Sequence, residues 1–129
     1  MRIISGLKKG HTILSYKNKE IRPLTDKNRE TIFNILTHGK EIISTGFKIS
    51  NSTVLDLFAG TGAFSFESLS RGALKATLVE NSSLMIDLIY KNAEKLKFTD
   101  KLIVFNENAY SFTNIHSDPK FDLVYCDPP

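Results

Sequence analysis

The sequence is poor in the residues that staple small secreted proteins or hold metals. It has a single cysteine, Cys126, among 129 residues, which excludes an internal disulfide framework and any cysteine-rich zinc site. Its three histidines, His11, His38 and His116, are scattered singly and read as ordinary surface or turn residues, so no metal is expected. It lacks any run of about 18 apolar residues that could cross a membrane, and nothing resembles a leader peptide. A soluble, cytoplasmic protein with no membrane partner is expected. No internal repeat, low-complexity tract, or His–Asp or Cys–His pair is visible. What is present is a length within the range of one domain and 41% apolar residues, enough for a core.

Charge is unevenly spread. Residues 1–50 hold ten Lys or Arg against four Asp or Glu, a balance of +6, and residues 51–129 hold seven against ten, a balance of −3. A basic first part ahead of an acidic remainder suggests a polyanion-binding segment joined to a ligand-binding body. A solvated lysine-rich surface with no partner would look the same.

The organising stretch is Val54-Leu55-Asp56-Leu57-Phe58-Ala59-Gly60-Thr61-Gly62-Ala63-Phe64. Val54 to Leu57 reads as a short buried strand, Gly60-Thr61-Gly62 as a tight turn, and Ala63 onward as a helix. Glycine lets the main chain approach a ligand, and the first turn of a helix leaves N–H groups facing the same space. A second apolar strand, Thr77-Leu78-Val79, ends in Glu80. Strand, glycine turn, helix, strand and terminal acid make a nucleotide-type half-site, the acid accepting hydrogen bonds from ribose hydroxyls. The turn is not the full G-x-G-x-x-G fingerprint, so a strand-to-helix turn without a ligand is the competing reading.

The rest of the chain extends this pattern. Residues 2–22 read as two short strands around a basic glycine-containing turn, projecting Lys8, Lys9 and His11, with Lys17-Asn18-Lys19 as a second basic turn. Such a hairpin could present cations to a phosphate backbone, or only pack on the body. Thr25 is a candidate N-cap and Gly39 a candidate C-cap of a helix with Arg29, Ile32, Phe33 and Leu36 on one face. Phe64 to Arg71 reads as a helix ended by Gly72. Ser82 caps a longer helix burying Met85, Leu88, Ile89 and Leu96. Lys101 to Phe105 is a third strand leading to Asn106, Glu107, Asn108 and Ala109; Ser111 to Ile115 is a short helix or turn; Phe121 to Tyr125 is a fourth strand followed by Asp127-Pro128-Pro129. Cys126 reads as a buried packing residue. Repeated strand–helix units imply right-handed crossovers and a mostly parallel α/β sheet, with Asp56, Glu80, Asn108 and Asp127 at its carboxyl edge.

The D-x-F-A-G-T-G stretch, the following acid and the D-P-P run resemble S-adenosylmethionine-dependent methyltransferases that act on exocyclic amines of bases. With Met1-Arg2-Ile3-Ile4-Ser5-Gly6 and the stretch Arg22-Pro23-Leu24-Thr25-Asp26 to Leu36, the whole chain resembles the bacterial RsmD-type 16S rRNA (guanine-N2)-methyltransferases. The resemblance implies a Rossmann-like class I methyltransferase fold over residues 23–129, with residues 1–22 as a basic N-terminal β-hairpin extension. It implies S-adenosyl-L-methionine as cofactor, held by Asp56, Phe58, Ala59, Gly60, Thr61, Gly62, Glu80, Asn108 and Ala109. Gly60 and Gly62 would admit the methionine part, Asp56 would lie near its amino group, and Glu80 would hold the ribose. Asn108 stands where the family usually has Asp, so weaker adenine binding is expected. Asp127, Pro128 and Pro129 would be the catalytic residues, with the Asp127 carboxylate and the Pro128 carbonyl accepting from the target amine. Arg2, Lys8, Lys9, His11 and Arg22 would contact RNA. The segment around Arg22 to Leu36 would pack against the cofactor pocket and help close it.

By the same resemblance the chain stops just short of the end of the family's catalytic motif, where an aromatic residue stacks on the base. A C-terminally truncated chain is therefore expected, its last strands missing and its activity impaired. It would be a monomer, or self-associate through an exposed strand edge. The partner would be rRNA or the small ribosomal subunit. Two alternatives stay open: a DNA adenine-N6 methyltransferase, since D-P-P serves that amine equally well, and a non-catalytic remnant that binds RNA or cofactor.

Overall fold

The computed structural model describes residues 1–16, 24–112 and 120–129. In chain order they form helices α1 (Asp26–His38) and α2 (Lys40–Ser44), strand β1 (Thr53–Leu57), helix α3 (Ala63–Ser70), strand β2 (Lys75–Glu80), helix α4 (Ser83–Leu96), and strands β3 (Leu102–Asn106) and β4 (Leu123–Cys126). The strands make one sheet in the order β3-β2-β1-β4, every pairing parallel. Parallel neighbours need a connection that crosses a face of the sheet, and α3 and α4 supply it after β1 and β2. The expected Rossmann-like α/β arrangement is the observed one.

Alternation along the strands divides the sheet into two faces. Val54, Ala76, Leu102 and Leu123 share one cross-strand row, and Asp56, Leu78, Val104 and Tyr125 the next. Apart from Asp56, these residues belong to or pack on the main core with Phe33, Phe64, Phe66, Ile89 and Leu96. α3 carries apolar or small residues apart from Glu67, and every residue of it is buried, because the sheet, α1 and the N-terminal segment cover it from several sides. α4 keeps one wet side. Its buried set includes Ile86, whereas Leu88, expected inside, is only half-buried.

Residues 1–16 form a narrow hairpin-like loop with one antiparallel bridge, Arg2 to Thr12. A longer ladder does not form because the loop's middle bonds α3 instead: Ile4 and Ser5 N–H donate to the Glu67 carboxylate at 2.8 and 3.1 Å. Ile3 and Ile13 enter the core. The Glu67 carboxylate also meets Arg29 Nε and Arg71 Nε, each at 3.2 Å, and both Arg29 and Glu67 side chains are fully buried. Arg29 further donates to the carbonyls of Leu24 and Arg2 and to Asp26. α1 is thus docked on α3 by charge as well as by Phe33 on Phe64, whose rings are 5.0 Å apart. Thr25 caps α1, accepting from Asn28 N–H, and Gly39 closes it.

Cys126 is exposed, contrary to the expectation of a packing residue. Among the described residues β4 is the outer strand beside β1, and its alternation sends Leu123 and Tyr125 inward and Val124 and Cys126 outward. The second basic turn, Lys17-Asn18-Lys19, and Arg22 lie outside the described residues, as do residues 113–115 of the expected short helix or turn. The described part of that segment has its single turn earlier, at Ala109–Ser111.

Candidate functional site

The carboxyl edge of the sheet is assembled from the loops after β1, β2, β3 and β4. The chain leaves β1 through Phe58, Gly60 and Gly62, all with positive φ (61°, 57° and 79°). Ala59 N–H bonds the Val79 carbonyl at 3.0 Å and Gly62 N–H the Ala59 carbonyl at 2.9 Å, which folds the turn over β2. The two glycines serve different needs. A Cβ on Gly60 would meet nothing within 4 Å, whereas one on Gly62 would lie 2.8 Å from the Phe66 ring and 3.2 Å from Leu78. Gly60 faces open space where a ligand could approach; Gly62 is required by the core under the turn.

Glu80 ties the edge together. One carboxylate oxygen accepts from Gly60 N–H at 2.8 Å and the other from Asn81 and Ser82 N–H, both at 2.9 Å. Three donors occupy three of a carboxylate's roughly four lone-pair positions, so the group is fixed in place with capacity left for a ligand hydroxyl. Beside it is a cleft of about 110 Å³ whose lining includes Phe58, Glu80, Asn108, Ala109, Tyr110 and Pro129. The Phe58 and Tyr110 rings meet edge to face, 5.0 Å apart. The Asn108 side-chain oxygen accepts from Tyr110 N–H at 2.9 Å, which leaves its NH₂ group and one lone pair for another partner. Sequence reasoning missed Tyr110, whose only signal was an aromatic residue next to the third strand's polar end.

Asp56 does not sit at the strand tip. It is 1% exposed, in the helix-facing row between Leu78 and Tyr125, and accepts from the Ser65 hydroxyl at 2.7 Å. Burial pushes its carboxyl up to about 7; the Ser65 hydrogen bonds oppose this, and the nearby charges of Glu80 and Asp127 add to it. Ala59, Thr61 and Gly62 are likewise buried behind the cleft, with the Thr61 carbonyl accepting from Asn92 at 3.5 Å.

Asp127, Pro128 and Pro129 follow β4 and are exposed. Asp127 accepts from the Tyr125 hydroxyl at 3.2 Å. The Tyr125 ring lies flat on Phe64, 3.9 Å between centroids and 6° from parallel. Burial, the Asp127 charge and its hydrogen bond push the Tyr125 phenol above its usual range, so it stays a donor. The carboxylate that would meet a base is thereby linked through stacked rings to the helix that follows the glycine turn. None of the cleft lining comes from α1, which packs on α3.

The structure therefore gathers Phe58, Glu80, Asn108, Ala109 and Pro129 at one cleft, with Gly60 beside it through its bond to Glu80. It does not bring Arg2, Lys8, Lys9 or His11 there. Leu7 and Lys8 N–H bond Ser70, the last residue of α3, at 2.7 and 2.9 Å, and α3 begins at the cleft and ends at the opposite edge of the sheet. Arg2 is exposed near the start of α1, its N–H on Asp26 at 3.3 Å. Among the described residues no group of three or more His, Cys, Asp or Glu could hold a metal, and no helix is long and apolar enough to cross a membrane.

A model of the family described as "Conserved hypothetical protein 95" matches residues 1–129. Ribosomal RNA small subunit methyltransferase D of Escherichia coli is 36% identical over 129 residues, covering 100% of this chain and 60% of that protein. The Haemophilus influenzae protein of the same name is 34% identical over 131 residues, covering 100% of this chain and 63% of that protein. The solved structure of Escherichia coli yhhF, a protein assigned as a methyltransferase, matches with a TM-score of 0.79 at 35% identity, covering 100% of this chain and 64% of that one. The chain thus spans roughly three fifths of the length of these relatives.

Proposed function

This chain belongs to the RsmD-type methyltransferase family, and from that premise we propose that it transfers a methyl group from S-adenosyl-L-methionine to the exocyclic N2 amine of a guanine in small-subunit (16S) rRNA, free or assembled, in the cytoplasm. The observation that carries this reading is the Glu80 carboxylate, held by backbone N–H groups of two loops beside a cleft that also touches Pro129 of the D-P-P run. A polyol acceptor and an amine acceptor share one sheet edge.

The residues present fit the cofactor. Glu80 offers an acceptor for ribose hydroxyls, Phe58, Val79 and Ala109 offer apolar walls, and Asn108 an amide for an adenine edge. Open space in front of Gly60 leaves room for the main chain to meet the methionine part. When bound, the cofactor supplies a methyl group already activated on a sulfonium, so the protein's work is position.

An exocyclic guanine amine is a weak nucleophile because its lone pair is delocalised into the ring. Asp127 and the Pro128 carbonyl would each accept one of its N–H groups, turning the lone pair toward the methyl donor. Pro128 and Pro129 restrict the backbone that aims them. Tyr125 would hold one Asp127 oxygen and leave the other for the amine. No tuned general base is needed before transfer; the surplus proton leaves from the methylated amine to water at this exposed edge.

The test is transfer of labelled methyl to small-subunit rRNA, with duplex DNA as competitor and an Asp127→Ala chain as control. Labelled rRNA, unlabelled DNA and an inactive variant are expected. The small-subunit rRNA methyltransferases among the relatives do not favour the DNA adenine-N6 and non-catalytic alternatives; labelled DNA, or RNA binding without transfer, would restore one or the other.

A further inference from the structure

We infer that the amino edge of the sheet carries a lysine patch that grips the phosphate backbone of a folded RNA, away from the transfer edge. The inference rests on the proposed RNA substrate and adds where, and how far from the chemistry, that substrate is held.

The patch joins segments distant in sequence. The tip of the N-terminal loop is pinned to the end of α3 by the Leu7 and Lys8 N–H bonds to Ser70. Gly6 lies so close that a Cβ there would fall 1.9 Å from the Ser70 carbonyl oxygen. The Lys8 Nζ is 5.9 Å from the centre of the buried Phe98 ring, and Lys101 Nζ is 6.0 Å from the same ring. Lys95 reaches from α4 to the Thr12 carbonyl at 3.0 Å, and Lys9 and Lys97 are exposed.

These cations outnumber the carboxylates beside them in sequence. Among the described residues every ion pair belongs to Arg29 or Arg71, so none of the five lysines has a carboxylate within 4.0 Å. Segments 7–11 and 94–101 hold these five lysines against Glu94 and Asp100. A lysine in the last turn of α4 also suits the helix dipole, which accounts for Lys95 but not for Lys8 or Lys101. A surface where five lysines outnumber two carboxylates, three of them placed by Phe98 and Thr12, suits a polyanion.

The patch and the cleft lie at opposite ends of the strands. Lys101 immediately precedes β3 and Asn108 follows it, and a five-residue strand spans about 17 Å at roughly 3.3 Å per residue. A mononucleotide placing its base at Asp127 cannot reach the lysines; a folded RNA can.

Anisotropy titrations with a small-subunit rRNA transcript would compare the unmodified chain with a Lys8→Gln/Lys101→Gln chain over a range of salt. The variant is expected to bind the transcript about tenfold or more weakly, with a log–log salt slope shallower by about 1–2, near 0.7–0.9 per lost phosphate contact. Its affinity for S-adenosylmethionine, and for guanosine monophosphate as a competitor at the cleft, is expected to stay unchanged. Lys9→Glu, at an exposed position, repeats the test should the double variant melt early. Unchanged rRNA affinity and slope in both variants, or no rRNA binding by the unmodified chain, would overturn the inference. Loss of binding in the variants while the unmodified chain methylates no rRNA would keep the patch and refute the proposed function instead.

Discussion

Asn at position 56 would remove a buried charge while keeping its shape, and the effect should depend on pH in a calculable way. Asp56 is 1% exposed, and burial raises its carboxyl from 3.8 to about 7 against the pull of the Ser65 hydrogen bonds. In the unfolded chain the same group titrates near 3.8. Between about pH 4 and 7 the folded chain therefore holds a proton that the unfolded chain has released, and stability falls as pH rises through that window. The slope is at most about 1.4 kcal/mol per pH unit, so the carboxylate costs up to about 4 kcal/mol above pH 7, a large part of the ~5–15 kcal/mol typical of a domain. Asn does not titrate and can still accept from Ser65. Asp56→Asn should thus match the unmodified chain near pH 4 and exceed it by up to about 4 kcal/mol at pH 8. Urea unfolding followed by circular dichroism at several pH values measures the difference, in which surface carboxylates common to both chains cancel. A stability difference that stays constant across the range would refute the assignment of the buried proton to Asp56.

Three further substitutions probe the framework. Glu67→Ala leaves the fully buried Arg29 and two backbone donors without their carboxylate, and should cost about 3–5 kcal/mol in urea unfolding; a loss under about 1 kcal/mol would mean that Arg29 is not held by that charge. Gly62→Ala should be more destabilising than Gly60→Ala, since both carry the left-handed backbone cost of about 1–2 kcal/mol but only Gly62 also collides with Phe66; equal losses would contradict the separate roles given to the two glycines. Tyr125→Phe keeps the stack on Phe64 and deletes the hydroxyl on Asp127. It should change stability by no more than about 1.5 kcal/mol and leave cofactor affinity intact while slowing transfer several-fold, and unchanged transfer would show that Tyr125 does not position Asp127.

The half-site was the most legible part of the chain. A strand, a glycine turn, a helix and an acid-tipped strand are local patterns, and β1, α3, β2 and Glu80 fall within a residue or so of where those patterns put them. The Ser82 and Thr25 caps were legible for the same reason. What was not legible depends on partners distant in sequence. Glu67 looks like any helical acid until Arg29 and the N-terminal backbone close around it. Gly62 reads as a ligand glycine until Phe66 is seen beneath it. Cys126 reads as core until β4's alternation turns it away from the helix-facing row. The basic turn carries the charge expected from Lys8 and Lys9, yet its place at the amino edge follows from bonds to Ser70 that no local pattern encodes.

Calorimetric titration with S-adenosylmethionine, comparing the unmodified chain with Glu80→Ala, tests the central claim most directly. Micromolar binding, about −8 kcal/mol, that disappears in a folded Glu80→Ala chain is the predicted result. Equal binding by both chains, or none by the folded unmodified chain, would contradict the assignment of this sheet edge as the cofactor site.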